Sequence, residues 1–373
     1  MESVVLTQVR TNFKRFSYLL VLIFVMSVGS LHALQSSSDT RIFGTVIDKE
    51  SGELLQDVNV YLSYTTSGIA TESSGNYNFQ TKLIGQFELV FSAVGYKSQR
   101  YLVSLGRNVR EIELDVEMIR QSVHLDEIEV KADNSEWVQN YEIFEREFLG
   151  MTVNASNSVI ENRWVLDFER NGSGELIASA RDPIHITNQA LGYKLTTDLN
   201  EFVWDTRNSS GYYHVKVWFE EIEPETDAQY QSWLRERRLV YRGSMRHFFK
   251  SLYDDELSRN RFQVVWADTR QRASIRELDE ETIVQALQAR NLNPELAAEG
   301  IKGFELREPV DVLIGRRSIR SDTRKRARII PMTDDHYFFV TPDGNLADLM
   351  SISTSGHWSA MRMADMVPIN YTP

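Results

Sequence analysis

The stretch RIFGTVIDKESGELLQDVNVYL, residues 41–62, decides the fold of the first part of the chain. Val58, Val60 and Leu62 occupy alternate positions, which places them on one face of a half-buried strand. The polar cluster DKESG at 48–52 separates this strand from the β-branched run before it, as a turn does. The stretch therefore predicts two β-strands joined by a polar turn.

The same pattern continues toward residue 119. ATESSGNYNF (70–79) places a glycine-containing turn before alternating Tyr77 and Phe79, and LVFSAVGYKSQRYLVSL (89–105) adds two apolar runs. Turn signals recur about every ten residues, which is typical of a sandwich and not of βαβ units. We therefore predict a β-rich, two-domain chain, with a seven-stranded antiparallel β-sandwich over residues 41–120.

Residues 41–120 resemble the carboxypeptidase-like regulatory domain, a transthyretin- or prealbumin-like sandwich of Bacteroidota-type cell-envelope proteins. The positions that carry the resemblance are Gly44, Val46, Asp48, Gly52, Val58, Val60, Leu62, Thr71, Gly75, Tyr77, Phe79, Phe87, Leu89, Phe91, Gly95 and Tyr96. Glu72 departs from the pattern, because the family often has Asp there. The resemblance implies a fold and an envelope location. It implies no catalysis, since the catalytic domain and zinc ligands of the enzymes that name the family are not found in this sequence.

The N-terminal residues 1–33 have the layout of a secretory signal peptide. Arg10, Lys14 and Arg15 precede an apolar run at 16–28, and small residues lead to Ala33. The run of about 13 residues is shorter than the roughly 20 that a membrane span needs. We expect export with cleavage near Ala33, and a periplasmic or outer-membrane-associated protein. Retention of the segment as an anchor is the alternative.

The composition excludes several kinds of site. The chain has no cysteine, which excludes disulfides, thiolate metal sites and thiol catalysis. Its net charge of −12 argues against a general nucleic-acid binder, because neutralising phosphates requires an excess of Lys and Arg. A hydrophobic content of 42% is ordinary for a globular protein, so we expect a folded chain.

Beyond the sandwich we predict a linker strand at 121–136 and an α+β domain at 137–373. Apolar residues at helical spacing predict helices at 137–148, 229–253 and 280–290. Gly243 is a candidate break in the second helix. Strands are expected at 164–168, 176–180, 193–197, 214–219, 310–314, 337–340 and 349–352.

The linker segment LDEIEVKA (125–132) is similar to the one that joins such a domain to the plug of TonB-dependent outer-membrane transporters. The remaining chain is too short for a large membrane barrel of its own. An accessory component of a TonB-dependent transport system therefore stays an alternative.

No motif indicates a catalytic or metal site. His124 and Glu127 match a His-x-x-Glu zinc pair, but two ligands do not hold a catalytic zinc, and in a β segment residues three apart point to opposite faces. The sequence has no nucleophile elbow, Walker loop or dinucleotide glycine fingerprint. We predict no catalytic residue, no metal and no cofactor. A hydrolytic or peptidase-associated enzyme, assembled from distant residues in 137–373, stays an alternative.

Two basic clusters supply the candidate binding residues. Arg235, Arg238, Arg242 and Arg246 are spaced three, four and four residues apart, so they form one stripe if the helix is continuous. Such a stripe either pairs with acidic neighbours or binds a lipid headgroup, a lipopolysaccharide phosphate or an acidic partner segment. The second cluster, in a loop or hairpin, is Arg316, Arg317, Arg320, Arg324, Lys325, Arg326 and Arg328.

The sequence favours an exported, non-enzymatic envelope protein that acts as a binding or docking module. The exposed sandwich loops and the arginine stripe are the predicted contact surfaces. The expected partner is another envelope protein or an anionic envelope component, and not nucleic acid.

Overall fold

The computed structural model describes residues 39–106, 108–121, 135–292, 294–298, 300–315, 324–348 and 350–373. The predicted signal peptide, nearly all of the predicted linker strand, and His124 with Glu127 lie outside the described residues. Thr40–Pro373 form one compact unit, so the boundary between the two predicted domains stays a prediction.

The first region is a β-sandwich, as predicted. Its strands are β1 (Thr40–Asp48), β2 (Asn59–Leu62), β3 (Gly68–Ala70), β4 (Asn76–Thr81), β5 (Gly85–Ser92), β6 (Gln99–Leu105), β7 (Glu111–Glu113) and β8 (Val116–Met118). One sheet contains β4 and β1 with β7 and β8, and the other has the order β3-β2-β5-β6. Val60, Leu62, Leu89 and Phe91 are fully buried in the core between the sheets, which confirms the face read at 58–62. The strand is not half-buried as predicted, because Tyr61 on its opposite face is fully buried against Val90 and Trp218.

The last segment of the predicted sandwich, which ends near residue 119, differs from the expected antiparallel arrangement. It is divided into β7 and β8, and both pair in parallel with β1. At the division the chain passes close to Gly44, which is possible because a Cβ atom there would lie 2.1 Å from the Leu114 carbonyl oxygen and glycine has none. At the break, Leu114 O accepts a hydrogen bond of 2.7 Å from the Tyr77 hydroxyl, and Asp115 Oδ1 accepts one of 2.8 Å from Thr45 N.

The second region combines helices with sheets, which confirms the predicted α+β class. Its described helices are α1 (Ser135–Leu149), α2 (Val153–Ser156), α3 (Asp227–Tyr241), α4 (Met245–Tyr253) and α5 (Glu280–Ala289), with short 3-10 turns at Arg163–Val165, Pro294–Ala297 and Met363–Asp365. Its described strands are β9 (Ser158–Ile160), β10 (Leu166–Arg170), β11 (Leu176–Ala180), β12 (Ile184–Asn188), β13 (Tyr193–Asp205), β14 (Ser210–Glu221), β15 (Phe262–Trp266), β16 (Arg276–Glu277), β17 (Lys302–Glu305), β18 (Val310–Ile314), β19 (Lys325–Pro331), β20 (Tyr337–Val340) and β21 (Ile352–Gly356).

Two cores organise this region. In the first, Phe144 and Phe148 of α1 pack on a sheet of order β10-β11-β13-β12-β9, in which β14 also pairs with β13. In the second, Phe248 of α4 packs with residues of a sheet of order β15-β18-β19-β21. A smaller sheet, β16-β17-β20, lies beside α5. The second core positions the candidate site.

The turn after β2 connects the sandwich to β14. Tyr64 N donates a hydrogen bond of 2.6 Å to Val217 O, and Phe219 N donates one of 3.0 Å to Thr65 O. The ring of Tyr61 stacks on Trp218, with centroids 5.8 Å apart. Backbone bonds and ring stacking thus attach the sandwich to the second region, which argues against a freely hinged module.

Candidate functional site

The junction between α3 and α4 shapes the candidate site. α3 ends at Tyr241, Arg242 is extended, and Gly243 has a φ of +83° that a side chain rarely adopts. Ser244 then caps α4, because its side chain accepts a hydrogen bond of 3.1 Å from His247 N. Gly243 therefore interrupts the helix predicted at 229–253.

The interruption separates the four predicted binding arginines, so they do not form one continuous stripe. Arg246 lies on α4, where its guanidinium donates to Tyr371 O at 2.7 Å and to Asp343 O at 3.2 Å. Burial lowers the pKa of Arg246 from its ordinary value. Its place is structural, since it ties the C-terminal segment to α4. Arg235 is exposed on α3 but does not line the cleft described next.

Arg238 and Arg242 line an open cleft of about 830 Å³. The cleft lies between the α3–α4 junction, the segment before β15, and the adjoining ends of β18 and β19. Gly315 N donates a hydrogen bond of 3.0 Å to Arg261 O, which holds the last two of these segments together. The lining residues are Arg238, Tyr241, Arg242, Gly243, His247, Arg259, Asn260, Arg261, Ile314, Gly315, Arg324, Lys325 and Pro373.

Six of the lining side chains are cationic, and no Asp or Glu is among the lining residues that the structure describes. Arg259 forms an ion pair with Glu256, which lies outside the lining, and Arg324 donates to Gln263 Oε1 at 2.7 Å. The other four cations form no ion pair with any described residue; they are Arg238, Arg242, Arg261 and Lys325. Six cations with no Asp or Glu among the described lining residues create a local positive field, which is the physical basis of an anion site.

Of the described residues in the second basic cluster, Arg324 and Lys325 line the cleft. Arg328 Nε lies 2.7 Å from Asp311 Oδ1, and Arg326 Nη1 lies 3.7 Å from Asp311 Oδ2, so both are paired with this nearly unexposed carboxylate. Both residues belong to β19, so this part of the cluster is a strand of a hairpin. Arg316, Arg317 and Arg320 lie outside the described residues.

His247 is the one lining residue whose charge changes near neutral pH. Gly243 N donates to His247 Nδ1 at 3.1 Å, so the neutral ring carries its proton on Nε2. Burial, and secondarily the positive charge of Arg242, lowers the pKa of His247. The described lining contains no Ser, Thr, Asp or Glu side chain that could act with His247 as an acid–base partner.

In the described part of the chain, no group of three or more His, Asp or Glu side chains is arranged to hold a metal ion.

Sequence reasoning missed the segment Arg259–Arg261, which supplies three lining residues. These residues follow no helical or strand periodicity, so pattern analysis has nothing to detect. Their local signal is conformational: Arg261 has a φ of +64°, which turns the chain into β15. Only the contact between distant segments reveals their role.

Comparison with known families concerns the first region. The core of the sandwich, with nearly all of its strand residues, lies within the residues that match a known family. Residues 42–130 match the CarboxypepD_reg-like domain. This match confirms the resemblance predicted from the sequence. The cationic cleft lies entirely outside the CarboxypepD_reg-like domain, so the family says nothing about it.

No curated protein sequence matches the chain. Among solved structures, a proposed membrane-associated protein of unknown function from Bacteroides fragilis is 10% identical, with 48% of this chain and 95% of that chain covered and a TM-score of 0.18. A DUF3823 family protein from Bacteroides ovatus is 10% identical, with coverages of 50% and 82% and a TM-score of 0.15. A proposed carbohydrate-binding protein from Bacteroides uniformis is 8% identical, with coverages of 49% and 99% and a TM-score of 0.18. TM-scores this low transfer neither fold nor function.

Every helix within the described ranges is too short or too polar to cross a membrane.

Proposed function

We propose that this protein is an exported, non-enzymatic envelope protein that binds an anionic envelope component in the cleft between the α3–α4 junction and the β18–β19 hairpin. The observation that carries the proposal is one cleft lined by four cations that form no ion pair within the described part of the chain, namely Arg238, Arg242, Arg261 and Lys325. The leader-like residues 1–33 and the CarboxypepD_reg-like domain support the envelope location.

The charge arrangement supports binding because cations repel one another unless an anion joins them. Arg326 and Arg328 show that nearby arginines in this fold obtain a carboxylate partner when they serve the structure. Arg238 and Arg242 lack one among the described residues. Arginine also suits the purpose, since its planar fork donates two parallel hydrogen bonds to a phosphate or carboxylate.

The chemistry of the lining favours binding over hydrolysis. A general base needs a partner that orients it or a group that it activates, and His247 has only the Gly243 backbone N–H at its Nδ1. The sandwich contributes a fixed support in this proposal, because the turn at Tyr64 and Thr65 is hydrogen-bonded to β14.

Calorimetric titration of the full exported chain tests the proposal. The ligands are three classes of anion, namely inorganic phosphates, heparin as a sulfated polysaccharide, and hexaglutamate as an acidic segment. We expect at least one class to bind, with an affinity that falls as salt is added. Arg238→Glu combined with Arg242→Glu should weaken that binding by at least about tenfold.

Arg235→Glu is the matched control, because it reverses an arginine of the same helix outside the cleft. Its binding should stay within about twofold of the unmodified chain. The proposal fails if no anion class binds, or if the double variant and the control bind as the unmodified chain does.

A further inference from the structure

We propose that the ligand of the cleft is a compact molecule with a diphosphate or similarly close-spaced phosphate groups. The inference rests on the proposed function and names the ligand class for the same site. Four properties of the cleft support it: the number of cations, their origin in three segments, the net charge around them and the volume they enclose.

The number of cations requires a highly charged ligand. Six cationic side chains line the cleft, and one of them, Arg259, is paired with Glu256. A carboxylate carries one negative charge, whereas a phosphate monoester carries about 1.5 to 2 at neutral pH. Adjacent phosphates bring several negative charges into a small volume, and they therefore match Arg238, Arg242, Arg261 and Lys325 together.

The cations belong to three different chain segments, which favours a ligand that can be contacted from several sides. Arg238 and Arg242 come from the end of α3, Arg261 from the segment before β15, and Lys325 from the start of β19. Cations that line one cleft from different segments fit a tetrahedral group, which presents oxygen atoms in several directions. A planar carboxylate offers its two oxygens in one plane.

The negative net charge of the whole chain disfavours an extended polyanion as the ligand. The chain carries a net charge of −12, although the cleft itself is positive. Electrostatic interactions are screened over about 8 Å at physiological ionic strength, so a compact ligand senses mainly the cleft. A nucleic acid or a long acidic polymer would extend over the negatively charged remainder.

The volume fits a small molecule larger than a single phosphate. The cleft measures about 830 Å³, and typical small-molecule sites measure about 300 to 1,000 Å³. Asn260 and Ile314 contribute uncharged lining, against which an organic group attached to the phosphates can lie. The phosphates are either those of a soluble molecule or those of a lipid headgroup, and the two sources share this recognition chemistry.

The test is calorimetric titration of the full exported chain with pyrophosphate, orthophosphate, citrate and hexaglutamate at one ionic strength. We expect pyrophosphate to bind at least about tenfold more tightly than orthophosphate or citrate, because additional charge-assisted hydrogen bonds form. Arg242→Gln and Arg261→Gln should each weaken pyrophosphate binding by about tenfold. Arg235→Gln, which removes the same charge from exposed α3 surface, should leave it within about twofold.

Nuclear magnetic resonance of His247 gives a second measurement. A bound anion in the cleft favours the protonated ring, so pyrophosphate should raise the pKa of His247. The His185 ring, which contacts Thr196 in the other sheet, should keep its titration midpoint. A shift of both histidines, or of neither, overturns the assignment of the site.

Flotation with phosphatidylcholine vesicles, with and without cardiolipin, distinguishes the sources of phosphate. Cardiolipin-dependent flotation together with pyrophosphate binding assigns a lipid headgroup, and pyrophosphate binding without flotation assigns a soluble ligand. If hexaglutamate or heparin binds and pyrophosphate does not, this inference is overturned and the proposed anion-binding function stands. If no anion binds, both fail.

Discussion

Arg237 and Arg238 are neighbours on different faces of helix α3, and their surroundings differ. On one face, Arg237 is almost completely buried and donates to Leu191 O at 2.7 Å, to Gly192 O at 3.0 Å and to Glu221 Oε1 at 2.9 Å. Its guanidinium also lies 3.9 Å from the centroid of the Tyr193 ring. On the other face, Arg238 is exposed to the cleft and forms no ion pair with any described residue.

The available acceptors, and not the arginine itself, decide whether a cation serves the fold or a ligand. Trp233 shares the buried face and packs on Gly192, where a Cβ atom would lie 2.2 Å from Trp233 Cδ2. That close approach brings Arg237 within reach of two backbone carbonyls. Arg238 donates to no carbonyl of a described residue, and five further cationic side chains line the same cleft.

The largest expected effect is on stability, from replacing Arg237. Arg237→Met should lower the free energy of unfolding by about 2–4 kcal/mol, because it leaves buried acceptors without a donor. Arg238→Met removes the same groups from the other face and should change it by less than about 0.5 kcal/mol. Urea unfolding followed by tryptophan fluorescence measures both. Equal losses in the two variants would refute the distinction between the faces.

An intermediate effect is expected at the glycine that separates α3 from α4. Gly243→Ala should destabilise the protein by about 1–2 kcal/mol, because a left-handed φ is unfavourable for a residue with a Cβ. The new atom would also lie 3.0 Å from Ile314 Cγ2, so anion binding should weaken as the junction shifts Arg242.

Gly172→Ala is the control for this variant, since no atom lies within 4 Å of its Cβ position. It should unfold at the same urea concentration as the unmodified chain and bind anions equally well. Stability and binding both unchanged in Gly243→Ala would show that the junction does not shape the cleft.

The smallest expected effect is a pH dependence that comes from the cleft. The folded protein lowers the pKa of His247, so the unfolded chain takes up the proton first as the pH falls through about 6.5. Stability from this group is therefore present above that pH and is lost below it. His247→Asn, which keeps an acceptor for Gly243 N, should reduce the loss of stability between neutral and mildly acidic pH.

Burial also lowers the pKa of His185, His214 and His357, so part of the dependence will remain in the variant. Urea unfolding at a series of pH values checks the difference. An identical pH profile in the variant would show that His247 is not the group that responds.

Part of the first region was predictable because its strand signals are local. The alternation at Val58, Val60 and Leu62 predicted a strand and its buried face, and hairpin turns connect β2 to β3 and β5 to β6. The parallel pairing of β7 and β8 with β1 was not predictable, because it joins segments about 70 residues apart around the missing Cβ of Gly44.

The sequence predicted some residues of the candidate site and not others. Helical spacing found Arg238 and Arg242, and the possible break at Gly243 was visible in the sequence. Spacing also selected Arg235, which does not line the cleft, and Arg246, whose donors are occupied by backbone carbonyls. Periodicity describes the face of an element, but it contains no information about which acceptors another segment will bring to that face.

By itself, the sequence determined the sandwich, the export-like leader, the absence of cysteine chemistry and the positions of the basic clusters, since all of these follow from local pattern or composition. Only the tertiary structure decided which cations are paired and which converge. Arg238, Arg261 and Lys325 are far apart in the chain, and the packing of α4 and the β18–β19 hairpin in one core brings them to one cleft. Burial of apolar side chains drives that packing, and the packing in turn places the charged side chains at one cleft.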